Sequence, residues 1–334
     1  MRLPISHSQF SILNFVSEKR NIFITIVLVS FLIPLSSFSQ IGGYPGSFAR
    51  IGFGARGIGM GNAMSAVTSG EIATYYNPAL SPFAKEQTIS ASYSSLSLDR
   101  NLNFLSYTQN VNPTAGFSLG IINQKVSDID GRDGDGNHTE TYSTTENQFY
   151  FSFANQLSKK ISIGLSAKMY YAKLFEKFST TTVGFDAGIV LRPNEKLSLG
   201  IVMQDFNSKY RWNSKDLYQE NGGEVVDTFP TLWKFAVAYS LPSNIGILST
   251  ELETSSKHNT YFRGGIECIL EKHFIIRVGI DRYDLRNKYT GAKPTFGFSL
   301  TPSFFDLKTT FHYAYIVEPF SPNGAHILSL SFSL

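Results

Sequence analysis

The sequence predicts an all-β protein: a transmembrane antiparallel β-barrel of about 14 strands, with a separate N-terminal segment enclosed by its walls. Three observations carry this. Apolar and polar residues alternate in segment after segment from Thr88 to Leu334. Short turns and long polar loops take turns along that same stretch, as in outer-membrane barrels. The composition suits a surface facing lipid: 16% of residues are charged and 14% aromatic, against roughly 25% charged in soluble domains.

The chain opens with a targeting pattern, and residues 1–39 read as a signal peptide. Lys19 and Arg20 supply positive charge, residues 22–35 form an apolar run broken by Pro34, and Ser37-Phe38-Ser39 places small residues ahead of a cut before Gln40. The run is short for a transmembrane helix, although an uncleaved anchor stays open. No cysteine sits at the cut, so no lipoprotein is expected. No later segment holds 18 consecutive apolar residues, so strands rather than helices are expected to cross the membrane. The expected location is the outer membrane of a Gram-negative bacterium, with its lipid as first partner. A formal charge of +3 implies no strong field towards nucleic acid. The one cysteine, Cys268, excludes an intramolecular disulfide. It alternates with Ile266 and Leu270, on the apolar face, as an inert thiol.

Next comes a glycine-rich stretch, residues 52–84, within a segment spanning 40–86. Its glycines argue against one long helix, and Pro78 pushes Asn77 out of helical backbone. Short helices are expected at 63–67 or 69–75, and a turn at Asn77-Pro78-Ala79. Gly52, Gly54 and Gly57 spell G-x-G-x-x-G, but no buried strand precedes them and the nearest acid, Glu71, is too close for a dinucleotide fold.

The barrel occupies residues 87–334. Candidate strands fall near 88–97, 101–109, 115–124, 147–155, 161–173, 181–192, 197–205, 231–241, 245–253, 260–270, 274–282, 293–301, 305–316 and 326–334. Residues 161–169 are the cleanest: Ile161, Ile163, Leu165, Ala167 and Met169 face one way, and Ser162, Gly164, Ser166 and Lys168 the other. The first two strands and the ninth alternate poorly. Even-numbered strands are followed by short turns. Odd-numbered ones precede the polar stretches 125–146, 206–230, 282–292 and 317–325, which places those outside the cell. The polar face then points into the lumen and carries Lys168, Asp186, Arg192, Lys234, Arg263, Glu267, Arg277, Asp281, Lys308 and His312. On a lipid face each charge would cost about 2–4 kcal/mol at the midplane, so pairing across the lumen is expected.

Catalytic and metal motifs are lacking. Residues 128–137, DIDGRDGDGN, fail the calcium-loop register, since His138 and Thr144 stand where glycine and glutamate belong. A solvated acidic tip is the better reading. The six histidines show no ligand spacing, and no G-x-S-x-G occurs. No enzyme activity, cofactor or metal is expected.

Gly57-Ile58-Gly59-Met60-Gly61-Asn62-Ala63, followed by Tyr75-Tyr76-Asn77-Pro78-Ala79, resembles the N-terminal segment of the PorV/PorQ group of outer-membrane barrels, and is more distantly similar to the FadL fatty-acid transporters. The resemblance implies a 14-stranded barrel whose N-terminal segment folds into the lumen as a hatch. The count of 14 is made with it in view; another cut gives 12 or 16. It implies Gly57, Gly59, Gly61, Tyr76, Asn77, Pro78 and Ala79 as hatch or gate residues. PorV-like proteins would dock exported proteins and components of type IX secretion; FadL-like ones would pass hydrophobic ligands. A purely structural barrel is the third reading. The last strand, ending at Leu334 with Phe332 two positions before, partly resembles the signal read by the barrel-assembly machinery.

Overall fold

A computed structural model describes residues 44–97, 99–175, 178–215, 219–271, 273–286, 291–302, 307–319, 321 and 323–334. The expected signal peptide, 1–39, and the start of the glycine-rich segment lie outside these residues.

Alternating sequence becomes a closed antiparallel barrel of 14 strands. In chain order the first seven are β1 (Thr88–Leu96), β2 (Arg100–Val111), β3 (Ala115–Arg132), β4 (His138–Ser158), β5 (Ile161–Phe175), β6 (Phe178–Leu191) and β7 (Leu197–Phe206). Two short strands outside the barrel follow, β8 (Lys209–Asn213) and β9 (Glu224–Thr228). The wall resumes with β10 (Leu232–Ser240), β11 (Gly246–Ser255), β12 (Thr260–Glu271), β13 (Phe274–Asp284), β14 (Lys293–Leu300), β15 (Lys308–Ile316) and β16 (Ala325–Ser333). Closure runs from Thr88↔Ser333 to Ser95↔His326, which leaves no unpaired edge there, as hydrocarbon demands. Phe149, Phe151, Phe153, Ile163 and Leu165 face outwards and are exposed to the surroundings. In lipid, each such side chain is stabilised by about 1.5–3 kcal/mol relative to water. No helix among the described residues is long and apolar enough to cross a membrane.

The long polar stretches hold more structure than expected. Residues 125–146 are not a loop. β3 and β4 continue past the alternating region as a paired hairpin, with Lys125↔Thr145 and Ile129↔Tyr142 in register. Both faces of that extension meet water, so no apolar alternation marks it in the sequence. Residues 206–230 contain the small sheet formed by β8 and β9. Its Tyr210 and Trp212 are buried, while β9 is exposed throughout.

One seam of the wall is irregular. β6 and β7 pair from Leu191↔Leu199 up to Phe185↔Phe206, with a slip between Phe185 and Ala187. Asp205, opposite the slip, has φ 60°. Beyond it β6 continues against β8, where the Arg211 amide donates to Thr180 Oγ1 at 3.2 Å.

The glycine-rich segment packs on the inward-facing side of the strands. Its helices are a short 3-10 helix at Ser47–Arg50, α1 (Gly54–Gly59) and a 3-10 turn, Pro78–Phe83; neither expected helix at 63–67 or 69–75 forms. α1 packs on β13–β16 and the 3-10 turn on β2–β6. The Tyr44 ring meets Lys257 between β11 and β12, and Phe83 meets Arg192 beyond β6. The segment therefore descends from the long-loop end to the short-turn end. Inward glycines admit it. A Cβ on Gly164 would fall 2.5 Å from the Pro78 carbonyl carbon, and one on Gly265 2.6 Å from that of Met60.

Candidate functional site: the lumen

The lumen has two chemically different sides. On the β10–β14 side, charged groups are buried in pairs. Arg263 donates to Glu251 at 3.0 Å, Glu253 at 2.6 Å and Asp281 at 2.7 Å, and Lys234 stands 3.7 Å from Glu253. Glu267 accepts from Arg277 at 2.6 Å and from Arg56 of α1 through both its oxygens, each at 2.9 Å. The chain of contacts goes on through Ser299 to His312, 2.6 Å apart, and to Glu71, 3.2 Å from His312 Nε2. Glu71 belongs to the segment. Burial pushes its carboxyl up, but hydrogen bonds from His312, Ser90 and Ser331 outweigh this and bring it down to about 2. Arg56 is disfavoured by burial, yet Glu267 raises its pKa overall. A further buried group marks the irregular seam: Lys168 donates to Asp186 at 2.7 Å and Asp205 at 2.9 Å.

On the β2–β5 side the wall is aromatic and aliphatic. Leu102, Phe104, Ile122, Tyr150 and Tyr170 are buried facing inwards. Phe53 of the segment lies 4.9 Å from Phe104 and 6.3 Å from Tyr150, ring to ring, and stacks on Tyr75 at 5.3 Å. Towards the long loops the cluster continues through Phe48, Phe229, Tyr210 and Trp212, with Tyr170 and Phe229 4.9 Å apart.

Eight of the ten charged positions expected in the lumen are buried there: Lys168, Asp186, Lys234, Arg263, Glu267, Arg277, Asp281 and His312. Two are not. Arg192 lies past the end of β6, half-buried over the Phe83 ring. Lys308 has inward parity, but it opens β15 at the rim, exposed, and pairs with Glu86 at 2.8 Å. At a strand end, parity no longer separates lumen from water.

The segment's expected residues take distinct roles. Gly61, at φ 60°, presses on the Gly264 and Ile280 carbonyl oxygens, where a Cβ would lie 2.6 and 2.5 Å away. Gly59 faces Arg277 and Gly297 at ordinary contact distance, 3.5 Å. Gly57 meets the Tyr76 ring rather than the wall. The Tyr76 hydroxyl accepts the Phe53 amide at 2.9 Å and donates to Asn62 Oδ1 at 2.7 Å. Asn77 is an N-cap, not merely a turn residue. Its Oδ1 accepts the Ala79 amide at 2.9 Å, and its Nδ2 donates to Ser65 O at 2.8 Å and Ile189 O at 3.2 Å. Pro78 begins the helix, where its missing N–H is harmless, and Ala79 O accepts from Ser162 at 2.8 Å.

Several partners are not evident from sequence: Arg56, Glu71, Asp205, Glu251 and Glu253. The last two lie in the ninth barrel strand, where Ser249, Glu251 and Glu253 share the inward face behind imperfect alternation. Arg56 does leave a signal, as a lone charge in GARGIG, a stretch otherwise fit for burial.

No protein-family model and no curated protein matches this sequence. Solved structures do. The CymD monoaromatic hydrocarbon channel superposes with a TM-score of 0.59 at 13% identity, over 85% of this chain and 97% of that one. The toluene transporter TodX of Pseudomonas putida gives 0.58 at 13%, over 84% and 96%. The Ralstonia pickettii toluene transporter TbuX gives 0.58 at 11%, over 84% and 97%. These neighbours are hydrocarbon channels rather than PorV or PorQ proteins, so of the two resemblances the fold supports the more distant one. At such identities the likeness establishes a shared fold: this chain is a 14-stranded transmembrane β-barrel built like those transporters.

Proposed function

We propose that the protein is an outer-membrane channel for hydrophobic small molecules in a Gram-negative bacterium, and not an enzyme. The observation that carries this reading is the aromatic side of the lumen. It runs from Trp212, Tyr210 and Phe229 at the long-loop mouth to Phe53, Phe104 and Tyr150 inside. An apolar permeant crossing the barrel is stabilised by such a surface and not by the paired charges opposite. The likeness to hydrocarbon transporters supports the reading as analogy of fold.

On this reading residues 44–86 act as a hatch. The lumen holds small voids beside it, such as one of about 10 Å³ lined by Arg50, Asn62, Tyr75, Gln204 and Glu253, room for about one water. Passage requires the segment to shift. The hatch residues from Gly57 to Ala79 would set that motion, with Asn77 and Pro78 holding the short-turn end. Docking of exported proteins or secretion components has no observation in its favour.

The test is entry of a hydrophobic naphthylamine dye into intact cells, whose lipopolysaccharide excludes it. Cells producing the folded barrel should take it up several-fold faster than cells without it. Equal rates, with the barrel present and heat-modifiable, would remove the channel reading.

A further inference from the structure

One buried polar group stands on the aromatic side of the lumen. Gln148 lies on the inward face of β4 and is fully buried, yet neither its amide oxygen nor its amide nitrogen has a hydrogen-bond partner in the protein. Its cross-strand neighbours are Ile122 on β3 and Tyr170 on β5, both fully buried members of the aromatic cluster. Two residues along the strand on one side is Tyr150, whose ring faces Phe53. Two residues along on the other is Glu146, which accepts from Tyr210 at the mouth at 3.1 Å. Gln148 thus stands partway down the apolar route.

A buried amide left unpaired is costly, and methionine or leucine would fill the same volume without that penalty. Gln204 is unpartnered as well, but it borders the small void ringed by Arg50, Lys234, Glu253 and Arg263, a polar setting that one water satisfies. Gln148 is flanked instead by Ile122 and the Tyr170 ring, with no charged group directly across from it on either strand.

We infer that Gln148 is a specificity-determining residue of the channel, selecting small aromatic molecules that carry one hydroxyl over their plain hydrocarbon analogues. This rests on the channel reading and refines it. The carboxamide can accept a phenolic O–H through Oε1, or donate to the phenolic oxygen through Nε2, while the rings of Tyr150 and Tyr170 contact the aromatic face. A hydrocarbon of equal size makes only the apolar contacts and leaves the amide unpaired, which disfavours it.

The experiment uses p-cresol and toluene, matched in shape. Equilibrium dialysis against the folded, detergent-solubilised full-length protein gives both affinities, and dye entry into cells is measured in parallel. The wild type should favour p-cresol by about tenfold. Gln148→Met should bring the ratio near one with toluene binding kept or improved, and Gln148→Asn should retain part of the preference. A wild-type ratio of one, or an unchanged ratio in Gln148→Met, overturns the assignment. Loss of both affinities in a folded Gln148→Met barrel also overturns it, since that marks a packing role. The channel reading fails separately, by absence of dye entry, whatever the affinity ratio.

Discussion

The two sides of the lumen hold the same segment by opposite means. Against β10–β14 the segment is fixed by Arg56 on Glu267, and Ser65 donates its amide to Glu251 at 3.3 Å. Against β2–β5 it rests on rings, with Phe53 on Phe104 and Tyr150. Breaking a buried charge pair costs about 3–5 kcal/mol; an aromatic pair adds only about 0.5–1.5 kcal/mol beyond the area it buries. The difference teaches where a hatch can give way. On the proposed channel reading, the charged side anchors the segment and the aromatic side is the wall that yields.

The largest break in this comparison is Arg263→Met. It strands Glu251, Glu253 and Asp281 in a buried site with Lys234 and Arg282 as the remaining cations close by. The expected loss is about 3–5 kcal/mol, read as urea unfolding of the folded barrel in detergent. A loss below about 1 kcal/mol would show that the charged side is not an anchor.

Acid probes the same anchor more gently. Glu71 is held down to about 2 in the folded protein, against 4.5 ordinarily. A depressed carboxyl stabilises fully above its ordinary pKa and loses that contribution as pH falls through the folded value. Protease access to residues 44–86 should therefore rise between pH 4.5 and about 2, reflecting roughly 3 kcal/mol. Glu71→Gln should flatten the profile; the same profile in the variant would assign the effect elsewhere.

The double substitution Asn77→Ala with Pro78→Ala removes the cap at the segment's lower end. A loss of about 1 kcal/mol should come with several-fold faster dye entry and an intact barrel. Unchanged entry would mean that this end does not gate.

The assignment of ends carries no stability effect and is checked by labelling. Cysteine at Gly134 or Gly223, where a side chain meets open space, should react with an impermeant thiol reagent on intact cells. Cysteine at Asn194 should not. The reverse pattern would invert the barrel and place the aromatic mouth inside the cell.

The wall is written in the alternation of residues. Strand alternation is local: each residue's face follows from its neighbours two positions away, so the strands and the inward parity of eight buried charges are legible in the order of residues, while the count of 14 also leans on the family resemblance. Alternation misleads only where both faces meet one medium, in the β3–β4 extension, and at strand ends such as Lys308. The closing of the barrel decides which charges meet and which rings line the inward face. Arg56 finds Glu267 at a separation of 211 residues, and Phe53 finds Phe104 and Tyr150 on strands it does not adjoin in sequence. Helix α1 forms at Gly54–Gly59, against its glycine content, because the wall packed on it outweighs local propensity. Parity tells each side chain which face it takes. Only the closing of the barrel sets which partner stands across from it.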